Sequence, residues 1–423
     1  MRTSSLAARD ERVNWHPYTQ MKTASPVIPI VRGEGTYLFD EQGKRYIDAI
    51  SSWWVTLHGH AHPYIASQVS KQLHTLEHVI FAGFTHRPAI ELSERLLSLL
   101  PGNQRRIFYS DNGSTAVEVA LKMSIQYHFN NGARKLKVLA LRDAYHGDTF
   151  GAMSVSGRSR WTVPFNDLLF EVVFIDRPSV TNLAAIKQVI DVYAEAVACF
   201  IYEPLVQGAG GMLMYEADVL SQLMLYCRQK GILLIQDEVF TGFGRTGQLF
   251  AANHLTEQPD IMCFSKGLTG GTMAMGVTSC SEMLYEAFYS SDRYKTLFHG
   301  HSFTANPLAC AAALASLDLL VNESTQDNIH RICRQHAHFI ERIRQHQGIG
   351  VTRQCGTIVA LEPKESEGTG YFYKDQQRLY HQFLSNGVLL RPLGSVVYIV
   401  PPYCISPEDL DLVYEVIETV ITQ

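Results

Sequence analysis

The sequence has no cysteines at C-x-x-C spacing, no apolar run of about 18 residues, and no excess of basic charge. Its eight cysteines, at 199, 227, 263, 280, 310, 333, 355 and 404, are scattered, several inside apolar runs such as Ala198-Cys199-Phe200. That argues against a disulfide framework or a zinc site and fits buried free thiols in a reducing compartment. Met1 to Asn14 lacks an apolar core of signal-peptide length, so a cytoplasmic protein with no membrane association is expected. A net charge of −5, from 36 basic and 41 acidic residues, offers no general attraction to nucleic acid or an anionic surface. Internal repeats and low-complexity linkers are also missing. What remains is a chain of 423 residues, 46% hydrophobic and 18% charged: a well-buried globular protein with more than one subdomain.

Its patterning supports an α/β fold. Tyr37–Asp40 and Arg45–Asp48 flank Glu41-Gln42-Gly43-Lys44, a hairpin signal. Prolines at 63 and 88 each open a helical pattern. Strand-like runs follow at 106–110, 136–141, 172–175, 199–202, 232–235 and 261–264, with a helix over 114–129 and helical stretches between several others. This alternation predicts a mainly parallel central sheet with helices on both faces. Past residue 320 a long polar helix (about 325–346), strands near Ile358 and Val396 and a last helix after Ser406-Pro407 predict a smaller α+β domain. Residues 1–55 would join that domain, 56–320 would form the large one, and 321–423 the rest of the small one.

Three groups sit where ligands collect in such sheets, at strand carboxyl ends. Ile261 to Phe264 ends in Ser265-Lys266-Gly267, and a lysine at the end of an interior strand is suited to imine formation with a carbonyl. Ile232 to Ile235 runs into Gln236-Asp237, a carboxylate able to pair with a protonated pyridine nitrogen. Ser110-Asp111-Asn112-Gly113-Ser114-Thr115 links a strand to a helix whose start could hold a phosphate. Taken singly, each has a plainer reading: a surface lysine, a solvent-edge acid, an ordinary helix cap. Together they point to pyridoxal phosphate (PLP). Gly242-Phe243-Gly244-Arg245-Thr246-Gly247 also matches the G-x-G-x-x-G dinucleotide pattern. Against that stand the acidic pair just before it and the lack of a clear helix after it.

The block from Asp237 to Gly247, followed by Ser265-Lys266-Gly267, resembles the class III PLP-dependent aminotransferases, as does Glu203 to Gly211. Trp15 to Met21, Ser51-Ser52-Trp53-Trp54, Tyr145 to Val155 and Leu390-Arg391-Pro392 resemble the members of that class that serve biotin biosynthesis. The resemblance implies PLP fold type I and a homodimer with shared active sites. It also implies ping-pong amination of 8-amino-7-oxononanoate by S-adenosylmethionine or, alternatively, lysine.

By the same resemblance, Lys266 would bind the cofactor covalently and shuttle protons. Asp237 would pair with the ring nitrogen, Gly113 and Ser114 would hold the phosphate, and Tyr145 would stack on the ring. Trp53, Trp54, Tyr18, Gly300 and Arg245 would line the substrate site, Tyr18 also serving catalysis, and Arg391 would grip the acceptor's carboxylate. The chain has His299-Gly300-His301-Ser302 where the family shows His-Gly-Pro-Thr, so His301 and Ser302 would reach a neighbouring subunit's phosphate. Phe240 replaces a smaller or polar residue and would narrow the donor side. Other class III aminotransferases, acting on ornithine or 4-aminobutyrate, and a PLP-fold binding protein without turnover are the rival readings.

Overall fold

A computed structural model describes residues 5–364 and 376–421. Seven strands form the central sheet: β1 (Gln104–Ser110), β2 (Lys137–Leu141), β3 (Val172–Ile175), β4 (Val197–Tyr202), β5 (Leu233–Asp237), β6 (Ile261–Phe264) and β7 (Gly276–Ser281). Their spatial order is β1-β7-β6-β5-β4-β2-β3, parallel except that β7 runs against both its neighbours.

Both faces are covered, which is why these strands are continuous apolar runs. Leu139, Leu141, Phe200, Tyr202 and Leu234 point to one face, where Leu220, Leu223 and Met224 of helix Ala217–Gln229 meet them. Val138, Ala140, Ile201, Ile235 and Cys263 point to the other, against Ala116, Val117 and Ala120 of helix α1 (Gly113–Asn130). The side-chain period of two along each strand assigns these layers.

Residues from both chain ends come together. Ile30–Glu34, Tyr37–Asp40 and Arg45–Asp48 form an antiparallel meander whose last strand takes Val388–Leu389 alongside in parallel. A second sheet pairs Ile349–Cys355, Ile358–Pro363 and Val397–Ile399. Helix Glu323–Ile343 buries Ile329, Ile332, His336, Phe339 and Ile343, a stripe at helical spacing with a polar opposite face. No single described helix is long and apolar enough to cross a membrane. All eight cysteines are free.

Two local backbone features matter for the site. Ser51, Ser52, Trp53 and Trp54 form a left-handed turn, with φ of 51°, 45°, 79° and 73°. The run at 232–235 extends to Asp237, which stays in register beside Cys263 as the last residue of β5.

Candidate active site

The lysine at the end of β6 is placed by a sharp local geometry. Ser265 Oγ donates to Met275 O at 2.6 Å, and the chain then turns through Lys266 at φ 43°. A short helical turn, Lys266–Thr269, ends in left-handed Gly270. Lys266 Nζ lies 4.7 Å from the ring centroid of Trp54 and 5.7 Å from that of Phe240. Burial disfavours its ammonium form and lowers its pKa; the charge of Arg245 adds to this, while Asp237 and Glu203 oppose it. An amine whose charged form is disfavoured, held against aromatic faces, is suited to act as nucleophile and base.

Asp237 is buried on the neighbouring strand end. Its Oδ1 accepts from Val239 N at 3.0 Å, and its Oδ2 lies 2.7 Å from His146 Nδ1. The other ring nitrogen, His146 Nε2, is buried and has no hydrogen-bond partner among the described residues. Beside it lies Glu203, just past β4, accepting from Tyr145 N and Gly208 N at 2.9 Å each. Burial drives the Glu203 pKa up to about 7, and Asp237 pushes the same way against the pull of His146. A carboxyl raised from 4.5 stabilises the fold fully only below 4.5 and loses that contribution as pH rises through about 7. Glu203→Gln is therefore expected to flatten the fall in Tm across that window, as read by thermal melts from pH 4.5 to 8.

The start of α1 fits a phosphate. Asn112 Oδ1 caps Thr115 N and Thr115 Oγ1 caps Asn112 N, so the N–H groups of Gly113 and Ser114 stay outside the helix's own ladder. Space is tight around them. A Cβ on Gly113 would come within 2.8 Å of Val239 Cγ1, and one on Gly147 within 2.0 Å of Ser114 Oγ. Ser114 Oγ accepts from Asp148 N at 3.2 Å, tying this loop to the one after β2. There Tyr145 Oη donates to Asp148 at 3.0 Å and meets the Tyr18 hydroxyl at 3.1 Å; Tyr18 also donates to Asp148. Burial and then the Tyr18 bond raise the Tyr145 pKa, keeping it a phenol.

The tryptophan turn lines the next stretch. Trp53 is exposed, with Tyr18 edge-on at 5.7 Å and the Arg391 guanidinium 4.8 Å above its ring. Among the described residues no ion pair involves Arg391. Trp54 is buried against Phe240 at 4.5 Å and faces Lys266. Phe240 itself is buried, and a Cβ on Gly208 would strike its ring at 2.8 Å, so this side is already filled.

One expectation shifts. Arg245 is fully buried, donating to Pro401 O at 2.7 Å and Trp54 O at 3.4 Å; it props the tryptophan turn from behind. The Gly242–Gly247 motif around it is a turn followed by the short helix Ala251–His254, whose Ala251 and Ala252 N–H groups bind buried Glu238. No pyrophosphate loop forms there. None of the described contacts of Gly300, His301 or Ser302 reaches Lys266, Asp237 or Ser114. His301 N instead donates to Thr304 Oγ1, and His299 lies 3.2 Å from Lys122 Nζ.

The family model for class-III aminotransferases matches residues 18–421. The chain is a class III aminotransferase. It is 44% identical to an adenosylmethionine-8-amino-7-oxononanoate aminotransferase from Synechococcus elongatus, over 97% of this chain and 98% of that one. A crystal structure of the enzyme so named from Methanocaldococcus jannaschii superposes with a TM-score of 0.93 at 35% identity, covering 98% of both chains. A PLP-bound amine transaminase from an uncultivated Pseudomonas species gives 0.91 at 29%, over 97% of this chain and 98% of that one.

The aminotransferase thus has PLP fold type I and uses PLP. Its residues fit the cofactor: an enclosed amine, a buried acid braced by histidine, and a glycine-lined helix start. The sequence did not single out His146, Glu203 or Asp148, although all three lie in motifs that carried the resemblance. Their partners, Asp237, Tyr145 and Tyr18 respectively, are far away in the chain, and no local periodicity reveals such contacts.

Proposed function

We propose that this aminotransferase converts 8-amino-7-oxononanoate to 7,8-diaminononanoate in biotin biosynthesis, with S-adenosylmethionine as amino donor. One observation carries the reading. The Lys266 amine lies over Trp54, and the Arg391 guanidinium, in no ion pair among the described residues, lies over the adjacent Trp53. Such a slot suits a chain with a reactive carbonyl at one end and a carboxylate at the other. The names of the relatives agree with it. We further propose a cytoplasmic homodimer in which Gly300, His301 and Ser302 serve the neighbouring site.

When bound, the cofactor carries the amino group from donor to acceptor and takes up the electron pair of the cleaved C–H bond. The protein's own groups do the rest. Lys266 Nζ removes the proton from the carbon that bears the donor amine and delivers it on the other side of the transfer. Asp237, fixed by His146, would keep a proton on the ring nitrogen. Gly113 and Ser114 would hold the phosphate, and Tyr145 would cover the ring. Trp53, Trp54 and Tyr18 exclude water along the alkyl chain, and Arg391 fixes its carboxylate.

The test is direct: purified, PLP-loaded protein is incubated with the keto acid and each donor, and the diamine is measured by mass spectrometry. Diamine formed with S-adenosylmethionine supports the proposal; formation with lysine alone reassigns the donor. No diamine with any donor overturns the substrate. Arg391→Ala is expected to raise KM for the keto acid roughly 10- to 100-fold, the worth of a bidentate charge-assisted contact, with a smaller effect on kcat.

A further inference from the structure

Four consecutive residues other than glycine in the left-handed region are an outlier, and such conformations persist only where surroundings hold them. The holding group is Asp48, the last residue of its strand and fully buried. Its carboxylate accepts from Ser52 N at 2.9 Å, Ser52 Oγ at 2.7 Å and Ile50 N at 3.3 Å, and from His60 Nε2 at 2.9 Å. His60 is itself anchored, its backbone N donating to Gly35 O at 2.7 Å. From the far side, Ser51 Oγ donates to Val400 O at 2.8 Å, and Arg245 reaches Trp54 O. Among the described residues, the Asp48 carboxylate hydrogen-bonds to Ile50, Ser52 and His60 and not to Trp53, Trp54, Tyr18, Lys266 or Arg391.

We propose that Asp48, backed by His60, is a positioning residue that sets the substrate slot by locking the left-handed turn of Trp53 and Trp54. Successive residues of this turn point to different ends of the site: Trp53 to Tyr18 and Arg391, Trp54 to Lys266 and Phe240. A right-handed or extended turn would not aim the two rings this way. The carboxylate therefore fixes, through Ser52, both the acceptor's carboxylate end and the aromatic face at the lysine. This inference rests on the reading that the tryptophan wall binds substrate.

The test compares Ser52→Ala, Ser52→Gly and Asp48→Asn with the parent enzyme, all loaded with PLP and assayed with 8-amino-7-oxononanoate and S-adenosylmethionine. Ser52→Ala, which removes one bond to Asp48 from a partly exposed position, keeps the test valid if the buried Asp48 variant does not fold. KM for the keto acid is expected to rise about tenfold in Ser52→Ala and more in Asp48→Asn, with kcat nearly kept, as for one lost charge-assisted hydrogen bond. Ser52→Gly, free to adopt φ 45° without the hydroxyl, should recover part of that loss. The tryptophan near-ultraviolet circular dichroism of the cofactor-free protein should change in step.

Unchanged KM and unchanged circular dichroism in both Ser52→Ala and Asp48→Asn would overturn the proposal. So would a proportional fall of kcat, cofactor loading and Tm with no change in KM. If the parent enzyme does not aminate the keto acid, the substrate reading fails, and the circular dichroism still decides whether Asp48 holds the turn.

Discussion

Lys266→Ala is expected to lose at least roughly ten-thousand-fold in kcat/KM, because both the covalent anchor and the proton carrier go with one side chain. The variant should keep its fold, since Nζ touches ring faces and makes no structural ion pair among the described residues. Alanine also leaves Lys266's neighbours, Ser265 with its bond to Met275 O and the turn to Gly270, in place. Two measurements check the role separately. Borohydride reduction of the parent, followed by peptide mapping, should put the cofactor label on position 266. The variant should bind PLP only reversibly and lose its colour on dialysis. A label on another side chain would remove the assignment whatever the rate.

Asp237→Asn should cost about a hundred- to thousand-fold in kcat, the scale for removing one preorganised charge from an enclosed site. The amide keeps the shape and still accepts from Val239 N. It loses the negative charge that favours a proton on the ring nitrogen, so the ring is a poorer electron sink. The effect should fall on kcat rather than KM, and pre-steady-state rates of C–H cleavage, measured with a deuterated donor, should show it. If the variant slows only substrate binding, the pairing with the ring is wrong. His146→Ala should give a milder loss of the same kind, since it removes the brace at Asp237 Oδ2 and leaves the charge.

Much of this site was legible before any coordinates. Lys266, Asp237 and the Gly113–Ser114 turn stood out because each ends or follows an apolar run, and a parallel sheet gathers such ends on one edge. The two-sided cover of the sheet was also readable from runs like Val197–Tyr202, buried at every position. The tryptophan pair stands out by motif, but its backbone does not. Nothing in Ser-Ser-Trp-Trp announces a left-handed turn, because the group that holds it, Asp48, acts from before the motif and His60 from after it. Arg245 carried the opposite lesson. Its motif advertised a ligand, and its real partners are carbonyl oxygens of Pro401 and Trp54. Signals that depend on composition along one segment were visible; those that depend on two segments meeting were not.

The short parallel pairing of Val388–Leu389 with Ile47–Asp48 has a consequence for how the enzyme comes to be active. It joins the strand that carries Asp48 to one that precedes Arg391 by only two residues. A nascent chain released through Gly276–Ser281 would already own its lysine, its acid and its phosphate cradle. It would still lack the guanidinium and the neighbour that closes the meander's edge. Long-range closures of this sort come late in folding. The groups proposed for vitamin capture and those proposed for substrate choice thus leave the ribosome at different moments, and the carboxylate grip is among the last parts of the site to be made.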